Sequence, residues 1–421
     1  MMQTTTHNPD RYMADLRQIL SQGRKRIGFL LGAGIPAAVR VNAEGKLSAD
    51  GRPILPDVAG LTPKVLDELD EADKEIVDIL LPGMGEEPTI ELILTRIRRL
   101  AEAIGDIEVH GLDGRGHAEL AERICEAIGE IVGCSLPKGS GPYTQLISWI
   151  SGTPREHPVE IFTPNYDLLF EEAFERAQVP YHDGFTGARR PFFDPASIAD
   201  DELSPRWSRL WKIHGSLGWE VEDGKIVRTG SRKATHLIYP DHHKYDQISR
   251  RPYSAFFERL RTFLMTPDSL LICAGFSFSD SHITAVLDET LAANPHTAVI
   301  AFEFRDLTED TPSAQLAFRR SSVNVYARKN AIICGTLGRW ELGKVQKAWE
   351  PIRRTYWGSG GSDADGGFLL GDFAWLANFL ALARADDLKP QSSTPDSDPN
   401  TSGAVDSLES EEEPADRQNG A

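Results

Sequence analysis

Four short segments place amide, carboxylate, hydroxyl and imidazole groups just beyond apolar runs. In the first, the run Arg26 to Leu31 ends abruptly at Gly32-Ala33-Gly34. Such a turn lets the main chain approach a pyrophosphate without Cβ atoms in the way and with amides available to the anion. In the second, Phe162-Thr163-Pro164-Asn165-Tyr166-Asp167, an amide and a carboxylate stand two residues apart. Extended residues at that spacing face the same side, so Asn165 can donate and accept hydrogen bonds at a reacting centre while Asp167 supplies negative charge close by. The alternative is that both only form a turn and cap the helix starting near Leu168. The third segment, Lys212-Ile213-His214-Gly215-Ser216, delivers an imidazole suited to proton transfer near neutral pH. The fourth, Ala274-Gly275-Phe276-Ser277-Phe278-Ser279-Asp280-Ser281-His282, leaves a strongly apolar run. There Gly275 allows close approach, Ser277 can bond a ribose or phosphate, and Asp280 can cap the following helix. Asp280 and His282 read as structural.

These groups need a frame, and the apolar patterning supplies one. Val159 to Phe162, Leu210 to Ile213, Thr235 to Tyr239, Leu270 to Ala274, Thr297 to Phe302 and Val323 to Ala327 are strand candidates, several of them separated by helical stretches. Short buried strands alternating with helices predict an α/β fold with a doubly wound, mostly parallel sheet that binds ligands at the carboxyl ends of its strands. Apolar spacings of three and four predict helices at Asp10 to Gln22, Pro63 to Leu69, Glu87 to Ile104 and His117 to Ile131. The expected organisation is a helical arm over 1–25, a catalytic domain over 26–345 with a helical insertion at about 60–150, a helical segment with a mobile loop over 346–385, and a disordered acidic tail over 386–421. The arm serves either oligomerisation or packing on its own sheet.

Composition narrows the function. No run approaches the roughly 20 apolar residues of a membrane-spanning helix, and Met1 to Asp10 lack the pattern of a secretory signal. A soluble, cytoplasmic chain with no membrane partner is therefore expected. The four cysteines form no Cys-x-x-Cys pair, so buried free thiols are expected rather than disulfides or a zinc site. A net charge of -18 argues against a broad grip on nucleic acid; Arg96, Arg98 and Arg99 could form a local basic patch, the alternative being a solvated helix face, which is the commoner use of such charges. From Asp386 onward there are ten acidic and two basic residues.

In their order, the four segments resemble the sirtuin superfamily, whose NAD site begins with a Gly-Ala-Gly turn and continues through a Thr-x-Asn-x-Asp loop, a His-Gly pair and a Gly-x-Ser turn. Asn165, Asp167, His214, Gly275 and Ser277 match position by position, within about Arg26 to Gly335. Three departures stand out. Pro36 follows Gly-Ala-Gly-Ile where deacylating sirtuins have Ser, and their Gly-Ile-Pro-Asp-Phe-Arg loop is not recognisable; the second loop reads Pro-Asn-Tyr-Asp; and the paired Cys-x-x-Cys zinc module is absent. The last two departures, the helical insertion and Gly-Phe-Ser-Phe-x-Asp-x-His make the chain more similar to bacterial sirtuin-like proteins of antiphage defence, which are NAD hydrolases.

This resemblance implies a Rossmann-like, sirtuin/DHS-like NAD-binding fold with no zinc module. It implies NAD as substrate with no metal, Asn165, His214 and Asp167 as catalytic residues, and cofactor contacts from Gly32, Ala33, Gly34, Asn165, Asp167, Gly275 and Ser277. It further implies a homo-oligomer and a HerA-type hexameric ATPase as partner, with nucleic acid reached only through a partner or a local patch. The expected reaction is cleavage of the nicotinamide N-glycosidic bond. Asn165 would position the ribose or water, Asp167 would stabilise the nicotinamide end or hold the loop, and His214 would act as general base. Protein deacylation, ADP-ribosyl transfer and a non-catalytic NAD or ADP-ribose sensor are the alternatives.

Overall fold

The computed structural model describes residues 9–85, 88–199, 203–230, 252–339, 357–358 and 367–381. Its centre is a nine-stranded sheet. In chain order the strands are β1 (Ile27–Leu31), β2 (Glu160–Thr163), β3 (Tyr181–His182), β4 (Ser208–Lys212), β5 (Leu270–Ala274), β6 (Ala298–Phe302), β7 (Val323–Tyr326), β8 (Asn330–Ile333) and β9 (Thr336–Arg339). In space they run β9-β8-β7-β6-β5-β1-β2-β4-β3. All neighbours from β7 through to β3 pair in parallel, and only β8 runs against them, antiparallel to both β7 and β9. The chain winds to one side of β1 through β2 and β4, then to the other through β5, β6 and β7. The switch point therefore falls between β1 and β5, where open α/β sheets bind ligands.

The middle strands are buried on both faces because successive side chains alternate between two apolar cores. Phe29 and Leu31 of β1 join one core and Leu30 the other, as do Leu270, Ile272 and Ala274 against Leu271 and Cys273 of β5. The second core is covered by helices Tyr253–Met265, Ser281–Ala293 and Pro312–Arg319. The first is covered by the helical insertion between β1 and β2, whose helices are Val58–Glu68, Glu71–Leu80, Ile90–Ala103, Gly114–Val132 and Pro142–Gly152. Asp73 and Arg123 tie two of these helices together with two charge-assisted contacts of 2.5 and 2.6 Å.

The terminal helices belong to the same core. Pro9–Ser21 buries Met13, Leu16 and Leu20, and the Tyr12 ring lies 5.5 Å from that of Tyr326 on β7. Of the two roles weighed for this helix, the described contacts are those of packing on its own sheet. Helix Phe373–Ala381 sets Phe373 edge-on to Tyr143, 5.6 Å between ring centres.

The strand candidates at 159–162, 210–213, 270–274, 297–302 and 323–327 all fall on observed strands, and helices occupy the expected periodic stretches. Three features went unforeseen. Cys334 and Gly335 both take positive φ, 49° and 76°, and turn β8 into β9 without the Asn-Gly pair that usually marks such a hairpin. Strand β3 has only two residues. A four-stranded antiparallel sheet of Phe185–Thr186, Phe192–Phe193, Lys225–Arg228 and Trp219–Glu222 packs Phe185 and Trp219 toward Phe256. The candidate strand Thr235 to Tyr239, most of the Gly358 to Gly367 loop and the acidic tail lie outside the described residues.

Candidate active site

All four chemistry-bearing segments emerge at the carboxyl edge of four adjacent strands, β5, β1, β2 and β4. At the switch point the glycines of two loops meet. A Cβ on Gly32 would lie 2.4 Å from the Gly275 oxygen, one on Gly34 2.7 Å from Gly275 Cα, and one on Gly275, at φ +58°, 2.8 Å from the Ile35 nitrogen. The room left by the missing side chains is filled by facing main chain. Most of the turn's amides are also engaged: Gly32 N donates to Ala274 O at 3.1 Å, Gly34 N to Gly275 O at 2.9 Å and Ile35 N to Gly32 O at 3.0 Å. This corrects the expectation that the amides stand open to an anion. Among the described residues the amide of Ala33 alone in that turn has no acceptor.

The loop after β2 is pinned on both sides. Thr163 Oγ1 donates to Leu31 O at 2.7 Å, and Asn165 Nδ2 donates to Gly32 O at 3.1 Å, so the amide oxygen of Asn165 and its second N–H are left for a ligand. Asp167 turns the chain into helix Leu169–Arg176, its Oδ1 accepting from Leu169 N at 3.0 Å. Its carbonyl accepts from Lys212 Nζ, which also lies 3.2 Å from Glu171 Oε1. Burial raises the pKa of Asp167, against the pull of Lys212 and of the Leu169 amide. The described contacts of Asp167 are thus those of a loop anchor, one of the two roles weighed for it.

His214 has different company. Its Nε2 lies 3.0 Å from Asp280 Oδ2, the two side chains being 7% and 9% exposed. Since β5 and β4 are three strand spacings apart, roughly 14 Å, the loop after β5 must cross over β1 and β2 to make this pair. Burial disfavours the imidazolium, but Asp280 and then Glu91 outweigh it, and the pKa of His214 is raised. Burial likewise works against the Asp280 carboxylate. His214, the Ile283 amide and His282 overcome it and bring Asp280 down to about 2. Asp280 Oδ1 meanwhile accepts from His282 N and Ile283 N, each at 2.9 Å, capping helix Ser281–Ala293. With Nε2 3.0 Å from the Asp280 carboxylate, Nδ1 is the nitrogen left to take a proton, the orientation logic of a histidine–carboxylate dyad.

Residues 159–326 match the SIR2-like domain family. The match supports a Sir2-like family and NAD-related chemistry for the segment from β2 to β7, which holds Asn165, Asp167, His214, Gly275, Ser277 and Asp280. Strand β1 with its glycine turn, and the helical insertion, lie before it. No curated protein matches the chain.

Three residues of this site are not singled out by their sequence context. Asp280 is a helix cap as foreseen, and also the partner of His214. Lys212 carries no expected role, although a lysine on a strand two residues before His214 is a signal in the sequence. Glu91 comes from the insertion helix Ile90–Ala103 and accepts a hydrogen bond from the Tyr166 hydroxyl; a glutamate in an amphipathic helix gives no such warning. Ser277 is exposed at the rim, its hydroxyl accepting from Ser279 N at 3.4 Å. Phe278, at φ +58°, holds a conformation costly for a bulky residue, and its ring packs 5.0 Å from that of Phe276. A cavity of about 340 Å³ on the insertion helix is lined by Met84, Leu92, Thr95, Arg96 and Arg99, none of them in the four segments. Among the described residues no cluster of three or more His, Cys, Asp or Glu could hold a metal ion, and no helix is long and apolar enough to cross a membrane.

Proposed function

We propose that this chain hydrolyses NAD to nicotinamide and ADP-ribose. The observation that carries the reading is the His214–Asp280 pair, with His214 on the loop after β4 and Asn165 on the loop after the adjacent strand β2, at the carboxyl edge of a sheet whose β2–β7 segment matches the SIR2-like domain. Departure of nicotinamide leaves an oxocarbenium-like ribose, so the site must orient the ribose, deliver water and accept a proton. Asn165, with its nitrogen fixed on Gly32 O, offers its oxygen to a ribose hydroxyl or to the attacking water. His214 takes the proton at Nδ1, and Asp280 stabilises the imidazolium that forms. Asp167 holds the loop that presents Asn165. Ala33 N–H and the exposed Ser277 hydroxyl are the donors offered to the phosphates and adenosine ribose.

The reading extends to depletion of NAD as an antiphage effector, to a homo-oligomer in the cytoplasm and to a HerA-type hexameric ATPase as partner; the support for these is the motif resemblance. The test is incubation of the purified chain with NAD, with and without such an ATPase, following nicotinamide and ADP-ribose beside Asn165→Ala and His214→Ala. Equimolar release of both products, lost in both variants, is expected. NAD that binds and stays intact in every condition contradicts hydrolysis and leaves a sensor or a deacylase.

A further inference from the structure

The partners of His214 described above come from the loops that leave the sheet, with one exception. Glu91 belongs to the helical insertion, which precedes the segment matched to the SIR2-like domain. It is only 8% exposed, and a buried carboxylate is ordinarily paired with a cation. Among the described residues no lysine or arginine forms an ion pair with it. Its hydrogen-bond partner is the hydroxyl of Tyr166, the residue between Asn165 and Asp167. The Tyr166 carbonyl in turn accepts from Leu217 N at 3.0 Å, in the turn that carries His214. One carboxylate on the insertion helix is thus joined through a single side chain to both the Asn165 loop and the His214 turn.

We propose that Glu91, acting through Tyr166, is a positioning residue for His214, so that the helical insertion sets the reactivity of the site. This deepens the NAD-cleavage reading and rests on it for the identity of the reaction. Two effects follow from the geometry. The Glu91–Tyr166 hydrogen bond fixes the middle of the loop, keeping the Asn165 amide and the His214 ring in register. The Glu91 carboxylate also adds to Asp280 the second negative charge felt by His214, which favours the imidazolium formed when the base takes its proton. The ionisable groups acting on His214 are Asp280, from the loop before helix Ser281–Ala293, and Glu91; Asp280 also feels His282. Burial raises the pKa of Glu91 itself, while Tyr166 and His214 work to hold it ionised. Leaving a carboxylate in such a place costs stability, as is common where charge serves chemistry.

The test uses the full chain as wild type, Glu91→Gln, Tyr166→Phe and the double variant, with thermal melting to check folding. Two readouts are taken over pH: the NMR titration of the His214 ring, assigned by its disappearance in His214→Ala, and the initial rate of nicotinamide release from NAD. In Glu91→Gln the His214 midpoint and the acid limb of the rate are expected to move to lower pH. The plateau kcat should fall about tenfold with KM little changed, as for a weakened general base. Tyr166→Phe should lower kcat less, and the double variant should be no worse than Glu91→Gln, because the two act as one unit. An unmoved His214 midpoint in Glu91→Gln, or additive losses in the double variant, overturns the proposal. Should Glu91→Gln fail to fold, unchanged kcat and midpoint in Tyr166→Phe overturn it equally. Should the wild type leave NAD intact, the cleavage reading fails alone, since the His214 titration still decides whether Glu91 acts on that ring.

Discussion

Two carboxylates, Glu160 and Asp280, mark the amino and carboxyl edges of the sheet, and they are used differently. Glu160, the first residue of β2, is fully buried and saturated: Arg259 Nε and Nη2 reach its two oxygens at 2.7 and 2.8 Å, and Trp211 Nε1 adds a contact of 2.8 Å. Asp280, beyond the carboxyl end of β5, spends one oxygen on two backbone amides, and among the described residues the other faces only the His214 ring. A closed network fixes a structure. An open one beside a titrating histidine keeps bonding capacity for a proton or a ligand, as expected at the carboxyl ends of a doubly wound sheet.

The contrast can be broken at its closed end first. Arg259→Met leaves Glu160 buried without its main cation and is expected to cost about 3–5 kcal/mol in urea unfolding. Activity per folded molecule should be unchanged. A stability close to wild type would show that Glu160 is solvated or paired elsewhere, and a selective loss of activity would erase the distinction between the two ends.

A smaller effect is expected where the two halves of the carboxyl edge meet. Gly275→Ala places a Cβ 2.8 Å from the Ile35 nitrogen at φ +58° and should cost about 2 kcal/mol. Since Gly275 begins the loop that carries Asp280, this variant should also weaken NAD hydrolysis, which Arg259→Met should not. Equal stability by urea midpoint would mean that the loops part readily at the switch point.

The finest test is the pH dependence of stability, taken as the difference between wild type and Asp280→Asn. The folded value of Asp280 lies at about 2, below its ordinary 3.8, so its contribution is present above 3.8 and fades as pH falls toward 2. That of His214 lies above its ordinary 6.5, so its contribution is full below 6.5 and fades as pH rises through the folded value. The difference should therefore be largest between these limits and shrink on both sides. A pH-independent difference in melting temperature would mean that Asp280 serves only as a cap, a role Asn fills nearly as well.

Much of this frame is legible in the sequence because β1, β2, β4, β5, β6 and β7 are apolar runs long enough to be read without their neighbours. Strand β3 and the small antiparallel sheet are not, since two-residue and half-exposed strands leave no clear period. The site divides the same way. Asn165, Asp167, His214, Gly275 and Ser277 stand in compact segments, and the fold brings those segments to one edge. What pairs with what is long-range: Asp280 is 66 residues from His214 and crosses two strands to meet it, and Glu91 reaches Tyr166 from 75 residues away. No local period encodes such contacts. The glycines show the converse limit, for the sequence marks where backbone must come close without saying that its neighbour is another loop.

The most direct measurement is nicotinamide release from NAD across pH by wild type, His214→Ala and Asp280→Asn, each checked for folding. The wild type should lose activity on the acid side with a midpoint above 6.5. His214→Ala should lose at least about a thousandfold, and Asp280→Asn about a hundredfold, with its acid limb moved to lower pH. Full activity in Asp280→Asn with an unmoved limb would contradict the pairing as the source of the base, and full activity in His214→Ala would contradict the site itself.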